Sequence, residues 1–483
     1  MDMSASADVG EGEWQGGDVA RWRFSGYGII LPLPDVNYRG RATVSPCPDI
    51  ELTPIHVRIL DLNFDIHSQC QRTPAPHTNT IVRPAMSLTP PPSAWWTLYQ
   101  VLIKGTNFSH LPTPTADLRN QNIVITGANS GIGREAALQL ARCGANITLG
   151  CRSTIPSHEE HPSATVLACR AAAQESGHLH STITWLSIDL SSFTSVSTFA
   201  STWLASNKPI HLLLNNAGVP KKAGVTLTTP DGFELLHQVN FLSHALLTLL
   251  LLPSLATAPS PRIIFTTSCL HYIPPFTDPS TTNPNKSDLP YPLAKLHLQT
   301  FLTTLQRRFS SNPKFAHITT QGVHPGFVGS GIWDAARAQG AQGDQKSTSP
   351  SSSPPQKSHI ANLLEPLPDK IFAALVPWLS ISSQQGSVAL VHAAVAEECG
   401  GAADEGGKGD GGGKGDGGGK GDGGGKGRGR GGRFWNRIWE EPALPASRGI
   451  EEGRLVWAYL EKVLRFEERG LGGGLELDVV RVA

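Results

Sequence analysis

From Asn122 onward, short apolar runs take turns with segments of helical period. "NIVIT" is followed by "GREAALQLARCG", "NITLGC" by "ATVLACRAAAQE", and "ITWLSI" by "SVSTFASTWLAS". "HLLLNN", "FELLHQVNFLSHALLTLLLL", "RIIFTTS", "LAKLHLQTFLTTLQRRF" and "HITTQGV" continue the same order. Strands that lack an in/out polar alternation are buried on both faces, and the intervening helices supply the cover. This alternation predicts a doubly wound parallel sheet of about seven strands, in the α/β class. The last strand is expected in "GRFWNRIWE" and the last helix in "EEGRLVWAYLEKVLRFEE".

A chain of 483 residues has length for two or three domains, but its 50 Gly and 37 Pro are concentrated where no core can form. Residues 338–358 are rich in Ser, Pro and Gln, and residues 400–432 carry "KGDGGG" three times before "KGRGRGGR". A six-residue unit of glycine and charge has nothing to bury, so this is a linker and not a solenoid repeat. Residues 1–85 hold apolar patches broken by Pro and show no sustained period. They read as a poorly ordered extension or an over-long start, since the text after Met86 runs straight into the patterned part. One globular domain with poorly ordered additions is the expectation.

Forty basic residues balance forty acidic ones, so no overall field attracts nucleic acid or an anionic membrane. Arg428, Arg430 and Arg433 invite a comparison with Arg-Gly segments that bind single-stranded RNA, but no aromatic is interleaved and a solvated linker is the better reading. The seven Cys show no C-x-x-C spacing, which argues against a zinc site and a disulfide framework, and a reducing, cytoplasmic setting fits them. No apolar run reaches the ~18 residues of a membrane span. "AWWTLYQVLI" (Ala94 to Ile103) reads as a short packing helix, with rest on a membrane surface as the second reading.

The chemistry begins at "TGANSGIG", Thr126 to Gly133, placed between a strand and a helix. There the backbone N–H groups and the helix N-terminus are set to cradle a pyrophosphate, and glycine lets the backbone come close. At the end of the second strand an NAD site places an acid, whereas an Arg accommodates a 2′-phosphate. This chain has Cys151 and then Arg152, which favours NADP(H) over NAD(H), against the plain alternative of a surface Arg. Asp189 in "SIDL" either accepts a hydrogen bond from the adenine amino group or caps the next helix. Asn215 and Asn216 in "LLLNNAG" either cap a turn or meet ligand at the sheet's carboxyl edge.

The reactive candidates are Ser268, ending "RIIFTTS", and "YPLAK", Tyr291 to Lys295. Tyr and Lys at i and i+4 share a helical face, so the ammonium is expected to lower the phenol pKa toward working pH. A phenol so tuned suits proton exchange with a carbonyl.

In this order these residues resemble the short-chain dehydrogenase/reductase family, in particular its retinol-dehydrogenase-like branch and related reductases of secondary metabolism. The match runs from about Gln121 to Val328 and more loosely over Ser383 to Phe466. The resemblance implies a single Rossmann-type domain: a lead-in over 86–120, a catalytic core over 121–336, a substrate-lid region over 337–399, the linker over 400–432, and a last strand and helix over 433–483. It implies a cofactor site of Thr126, Gly127, Asn129, Ser130, Gly131, Ile132, Gly133, Arg152, Asp189, Asn216, Ala217 and Gly218, with Pro325, Gly326, Val328 and Ser330 near the nicotinamide. It also implies a catalytic set of Asn240, Ser268, Tyr291 and Lys295. Tyr291 would give a proton to a carbonyl oxygen that Ser268 holds. Lys295 would bind the nicotinamide ribose, and Asn240 would hold a relay water. The implied activity is carbonyl reduction or alcohol oxidation on a lipophilic small molecule, with no metal. The family often pairs through its fourth and fifth helices into a dimer or tetramer. A non-catalytic NADP-binding sensor or scaffold is the rival reading, and the intact Asn-Ser-Tyr-Lys set speaks against it.

Overall fold

The computed structural model describes residues 19–24, 27–32, 89, 92–106, 108–155, 159–220, 227–281, 287, 289–329, 380–400, 431–473 and 475. The chain divides into two units, residues 1–82 and 83–483. In the first unit β1 (Val19–Phe24) and β2 (Tyr27–Pro32) form an antiparallel hairpin, where the sequence pattern shows no sustained period.

The second unit opens with α1 (Ala94–Leu98), which continues as a π-helical turn over Tyr99–Lys104. Trp96 of α1 meets Tyr272 edge-on at 5.1 Å, and Thr97, Gln100 and Val101 are buried. Trp95 and Ile103 stay open, at 81% and 65% exposure, so the segment has one packed and one bare apolar side. No helix among the described residues is long and apolar enough to cross a membrane.

Alternation then proceeds as the pattern predicts. β3 (Asn122–Thr126) leads to α2 (Gly131–Arg142), β4 (Asn146–Cys151) to α3 (Pro162–Glu175), and β5 (Ile183–Ser187) to α4 (Phe193–Leu204). β6 (Leu212–Asn215) is followed by a π-helical turn, Gln238–Leu242, that runs into α5 (Ser243–Leu250). β7 (Arg262–Thr266), α6 (Pro290–Ser311), β8 (Thr319–His324), α7 (Ser383–Val395), β9 (Arg433–Asn436), β10 (Trp439–Glu441) and α8 (Ile450–Val463) complete the order. Pro290 and Pro292 sit in the first turn of α6, where a missing N–H costs little.

Among the described residues the sheet has eight strands in the order β10-β9-β8-β7-β6-β3-β4-β5. Seven are parallel, as expected. The eighth, β10, is antiparallel because "FWNRIWEE" is a hairpin: Arg437 takes a left-handed φ of 57° and returns the chain on itself. Period-2 alternation splits the central strands β3, β6 and β7 between two cores. Ile123 and Ile125 of β3 face a core with α2, α3 and α7, while Val124 faces the other with α4, α5, α6 and α8. α8 lies on α6, with Trp457 stacked on Phe301 and the Arg308 guanidinium 3.8 Å above the Trp457 ring. It thus occupies a face of one of the two helices through which the resemblance implies pairing.

β3 touches both β4 and β6, so the chain winds outward to β5 and then crosses to the far side of β3. The crossover places the carboxyl ends of β3 and β6 at the point where the strand order reverses, the usual ligand position in such sheets. The two low-complexity stretches leave the sheet at opposite edges. After Gly329 the chain passes outside the described residues and returns at Ser380, closed by Ile381 N–H to Phe327 O at 2.8 Å and Gly329 N–H to Ile381 O at 3.0 Å, next to the carboxyl edge. The glycine-rich stretch instead leaves from Gly400, against the Arg262 guanidinium, and returns at Gly432, whose N–H donates to Thr320 O at 2.7 Å. Arg262 and Thr319 are register partners at the amino ends of β7 and β8, so these two chain ends meet there.

Loop-closure entropy changes by only ~0.6 kcal/mol per doubling of length. Replacing residues 402–429 with a four-residue Gly-Ser linker is therefore expected to leave the thermal midpoint unchanged or raise it by no more than a few degrees, measured by calorimetry.

Candidate functional site

The glycine turn is fixed by β6 as much as by its own sequence. Thr126 Oγ1 accepts the N–H groups of Asn216 and Ala217 at 3.0 and 3.1 Å. Asn216 Nδ2 donates back to Thr126 O at 3.1 Å and Gly127 O at 3.3 Å. Asn216 Oδ1 accepts the Thr266 hydroxyl at 3.2 Å, which ties in β7. Gly127 and Gly131 have φ of 65° and 54°. A Cβ on Gly133 would collide with the Gly127 carbonyl oxygen and the Asn216 amide, so only glycine fits there.

Above this turn Ser130 is the N-cap of α2, its side chain makes no capping bond, and no acid stands in the first turn. The first N–H groups of a twelve-residue helix therefore stand at this edge without a side-chain acceptor, which suits a phosphate. Ile132 packs with Val328 around Gly386 of α7, joining the turn to the segment after β8.

At the adenosine end the expectations separate. Cys151 is turned inward, 3% exposed, and receives the N–H groups of Ala128 and Asn129. Burial pushes its thiol up to about 11, so it stays protonated beneath the turn. Arg152 points outward and pairs with Glu159, Nη2 to Oε1 at 3.1 Å. Asn129 Nδ2 donates to the other oxygen of Glu159 at 2.9 Å. Asp189 Oδ1 accepts the N–H and hydroxyl of Ser191 at 2.9 and 2.7 Å, so this oxygen holds the turn that enters α4.

The reactive residues gather where β7 ends and α6 begins. Ser268 is the N-cap of the 3-10 turn Cys269–Tyr272, and its Oγ accepts Leu270 N–H at 3.2 Å. Its hydroxyl lies near enough to the Tyr291 phenol to oppose the rise in its pKa. Lys295 is 2% exposed, donates to Thr266 O at 2.6 Å, and places Nζ 5.6 Å from the Tyr291 ring centre. Asn240, in the π-helical turn before α5, spends Oδ1 on Val219 N–H at 2.8 Å and Nδ2 on Val219 O at 2.9 Å. Its side chain thus secures the loop after β6. A Cβ on Gly218 would lie 3.2 Å from Asn240 Oδ1 and 4.0 Å from Lys295 Nζ, so Gly218 is the floor between them. Pro325 and Gly326 are buried at the end of β8, and Val328 bridges to Ile381. Ser330 lies outside the described residues.

One electrostatic expectation is corrected. Tyr291 is not lowered toward neutrality: the protein packed around it pushes the phenol up to about 12, although part of its surface stays accessible, and Cys269 adds to the rise while the Ser268 hydrogen bond opposes it. The largest cause is the phenol's own burial, and Lys295 does not offset it. Burial lowers Lys295 to about 7, so near neutrality it carries only part of a charge and draws the phenol down little.

Sequence reasoning missed four contributors. Thr266 supplies the carbonyl for Lys295 and the hydroxyl for Asn216. His244, one turn beyond Asn240 and fully buried, is held near pKa 3 by burial and by the field of Lys295. Arg437 is fully buried and binds Ser109 O at 2.5 Å and Gln385 O at 3.2 Å, beside Gly326. Glu159 is the fourth. The i+4 spacing of Asn240 and His244 was a readable signal, whereas Arg437 and Glu159 reach the site only through tertiary contact.

A strand–glycine turn–helix element, Ser268 and Tyr291, and a buried Lys295 one helical turn from Tyr291 thus lie at the carboxyl edge of a doubly wound sheet. Residues 121–341 match the family model described as short chain dehydrogenase. Human retinol dehydrogenase 12 is 36% identical over 210 residues, 43% of this chain and 61% of that protein. Dehydrogenase/reductase SDR family member FEY of Arabidopsis thaliana is 37% identical over 187 residues, 38% of this chain and 48% of that protein. A solved short-chain dehydrogenase from Sphingobium yanoikuyae, in complex with NADPH, aligns over 56% of this chain and 83% of that one at 20% identity and a TM-score of 0.38. Over residues 121–341 the chain is thus similar to the short-chain dehydrogenases, retinol dehydrogenases among them. It spans under two thirds of the length of these two relatives.

Two outcomes follow from this geometry. Gly133→Ala should lower the unfolding free energy in urea by ~1–3 kcal/mol, because backbone and not a flexible side chain must move. Lys295, lowered by burial from 10.5 to about 7, binds its proton in the unfolded chain but not in the folded one across that window. Stability should then rise with pH between about 7 and 10.5, by a few kcal/mol in all, and Lys295→Met should flatten that rise in urea titrations.

Proposed function

We propose that this chain is an NADP(H)-dependent oxidoreductase that interconverts a carbonyl and a primary or secondary alcohol on a lipophilic small molecule. The observation that carries the reading is the convergence of Ser268, Tyr291 and Lys295 at the carboxyl edge that also carries the glycine turn. The residues present fit a pyridine dinucleotide. The uncapped start of α2 suits its pyrophosphate, Arg152 suits a 2′-phosphate, and Lys295, which donates to the Thr266 carbonyl, suits ribose hydroxyls. When bound, such a cofactor supplies or accepts hydride.

The chain's own residues handle the proton. Ser268 Oγ, close to Tyr291, holds the carbonyl oxygen beside the phenol. A phenol near 12 is protonated at neutral pH, which suits it to donate to the oxygen as negative charge develops there. Lys295 sits one helical turn below and is poised near neutrality, able to return a proton to Tyr291 afterwards. Asn240 keeps the Val219 loop against this pair. The relatives named for retinol support a lipophilic substrate, and the bare apolar side of α1 supports rest on a membrane surface.

The test is NADPH consumption by the purified chain over a panel of lipophilic ketones and aldehydes, with NADH as control. Saturable consumption is expected, and Tyr291→Phe should lose it by ~10²–10⁴-fold while still binding NADPH. Binding without turnover across a broad panel would point instead to a sensor or scaffold.

A further inference from the structure

We propose that Glu159 sets the cofactor preference of this site, serving as the ribose-facing acid that Cys151 is not. The inference rests on the reading of the carboxyl edge as a dinucleotide site. At the end of β4 the residue in the acid's usual place is a buried thiol, turned under Ala128 and Asn129. An acid arrives there by another route. Glu159, eight residues on from Cys151, returns to the same edge just before α3 and bridges Asn129 of the glycine turn, at 2.9 Å, to Arg152, at 3.1 Å. Asn129 also donates to Glu160 O at 3.4 Å, so side chain and backbone of this segment are both fastened to the turn. The Glu159 side chain is 23% exposed and that of Arg152 43%, which leaves the pair open to a ligand from solvent.

The two cofactors meet this pair differently. A 2′-phosphate that takes Arg152 must break its bond to Glu159 and then stand beside a carboxylate, a like-charge contact that weakens binding. A 2′-hydroxyl can instead donate to that carboxylate while Arg152 stays paired. Arg152 alone favours NADP(H), and Glu159 pulls the preference back, so the site accepts both cofactors with modest discrimination.

The experiment is fluorescence titration of the full chain with NADP⁺ and NAD⁺, for the wild type, Glu159→Gln and Glu159→Ala, with thermal midpoints as a folding control. Wild type should bind both, and each variant should raise the ratio of the NAD⁺ to the NADP⁺ dissociation constant by roughly tenfold. A ratio unmoved in a folded variant overturns the role of Glu159 while leaving the cofactor site standing. Failure of the wild type to bind either dinucleotide overturns the cofactor reading itself, and the proposal with it.

Discussion

The hydroxyl of Thr126 is the point on which the site depends. Where β3 and β6 part company, their ladder ends, and the chain must be held open without slipping. One oxygen that accepts two successive N–H groups of the β6 loop does this, and the Asn216 amide repays it with bonds to Thr126 O and Gly127 O. Thr266 carries the same network into β7. Glycine conformation, helix entry and the position of Lys295 all follow from these strand ends being fixed relative to one another.

The second constraint is electrostatic. A lysine buried to 2% exposure, donating to the Thr266 carbonyl, holds its proton loosely. A phenol in the same surroundings holds its proton tightly. Burial drives an acid and a base in opposite directions, and here the two neighbours lie one helical turn apart. The same packing that strains the charge of Lys295 therefore separates the pair into a proton holder and a proton lender.

Much of this was legible in the sequence because it depends on local period and spacing. Apolar runs of β3, β6 and β7 gave away a two-faced sheet, and Tyr291 with Lys295 announced a shared helical face. What escaped reading depends on distance in the chain. Glu159 meets Arg152 across a loop, Arg437 reaches Ser109 from 328 residues away, and the outcome for Tyr291 turns on how deeply the phenol itself is packed. The split of "FWNRIWEE" into a hairpin rests on a single residue accepting positive φ, which an arginine does not advertise.

The departure points of the two low-complexity stretches divide the sheet into a working rim and an idle one. Length added at Gly400, by the amino ends of β7 and β8, can vary without any strand or site residue changing its neighbours. Length added after Gly329 enters beside Gly326 and Val328 and cannot vary so freely. Such a fold can acquire a tether at its back while its front stays under selection, so that attachment and chemistry drift independently on one domain.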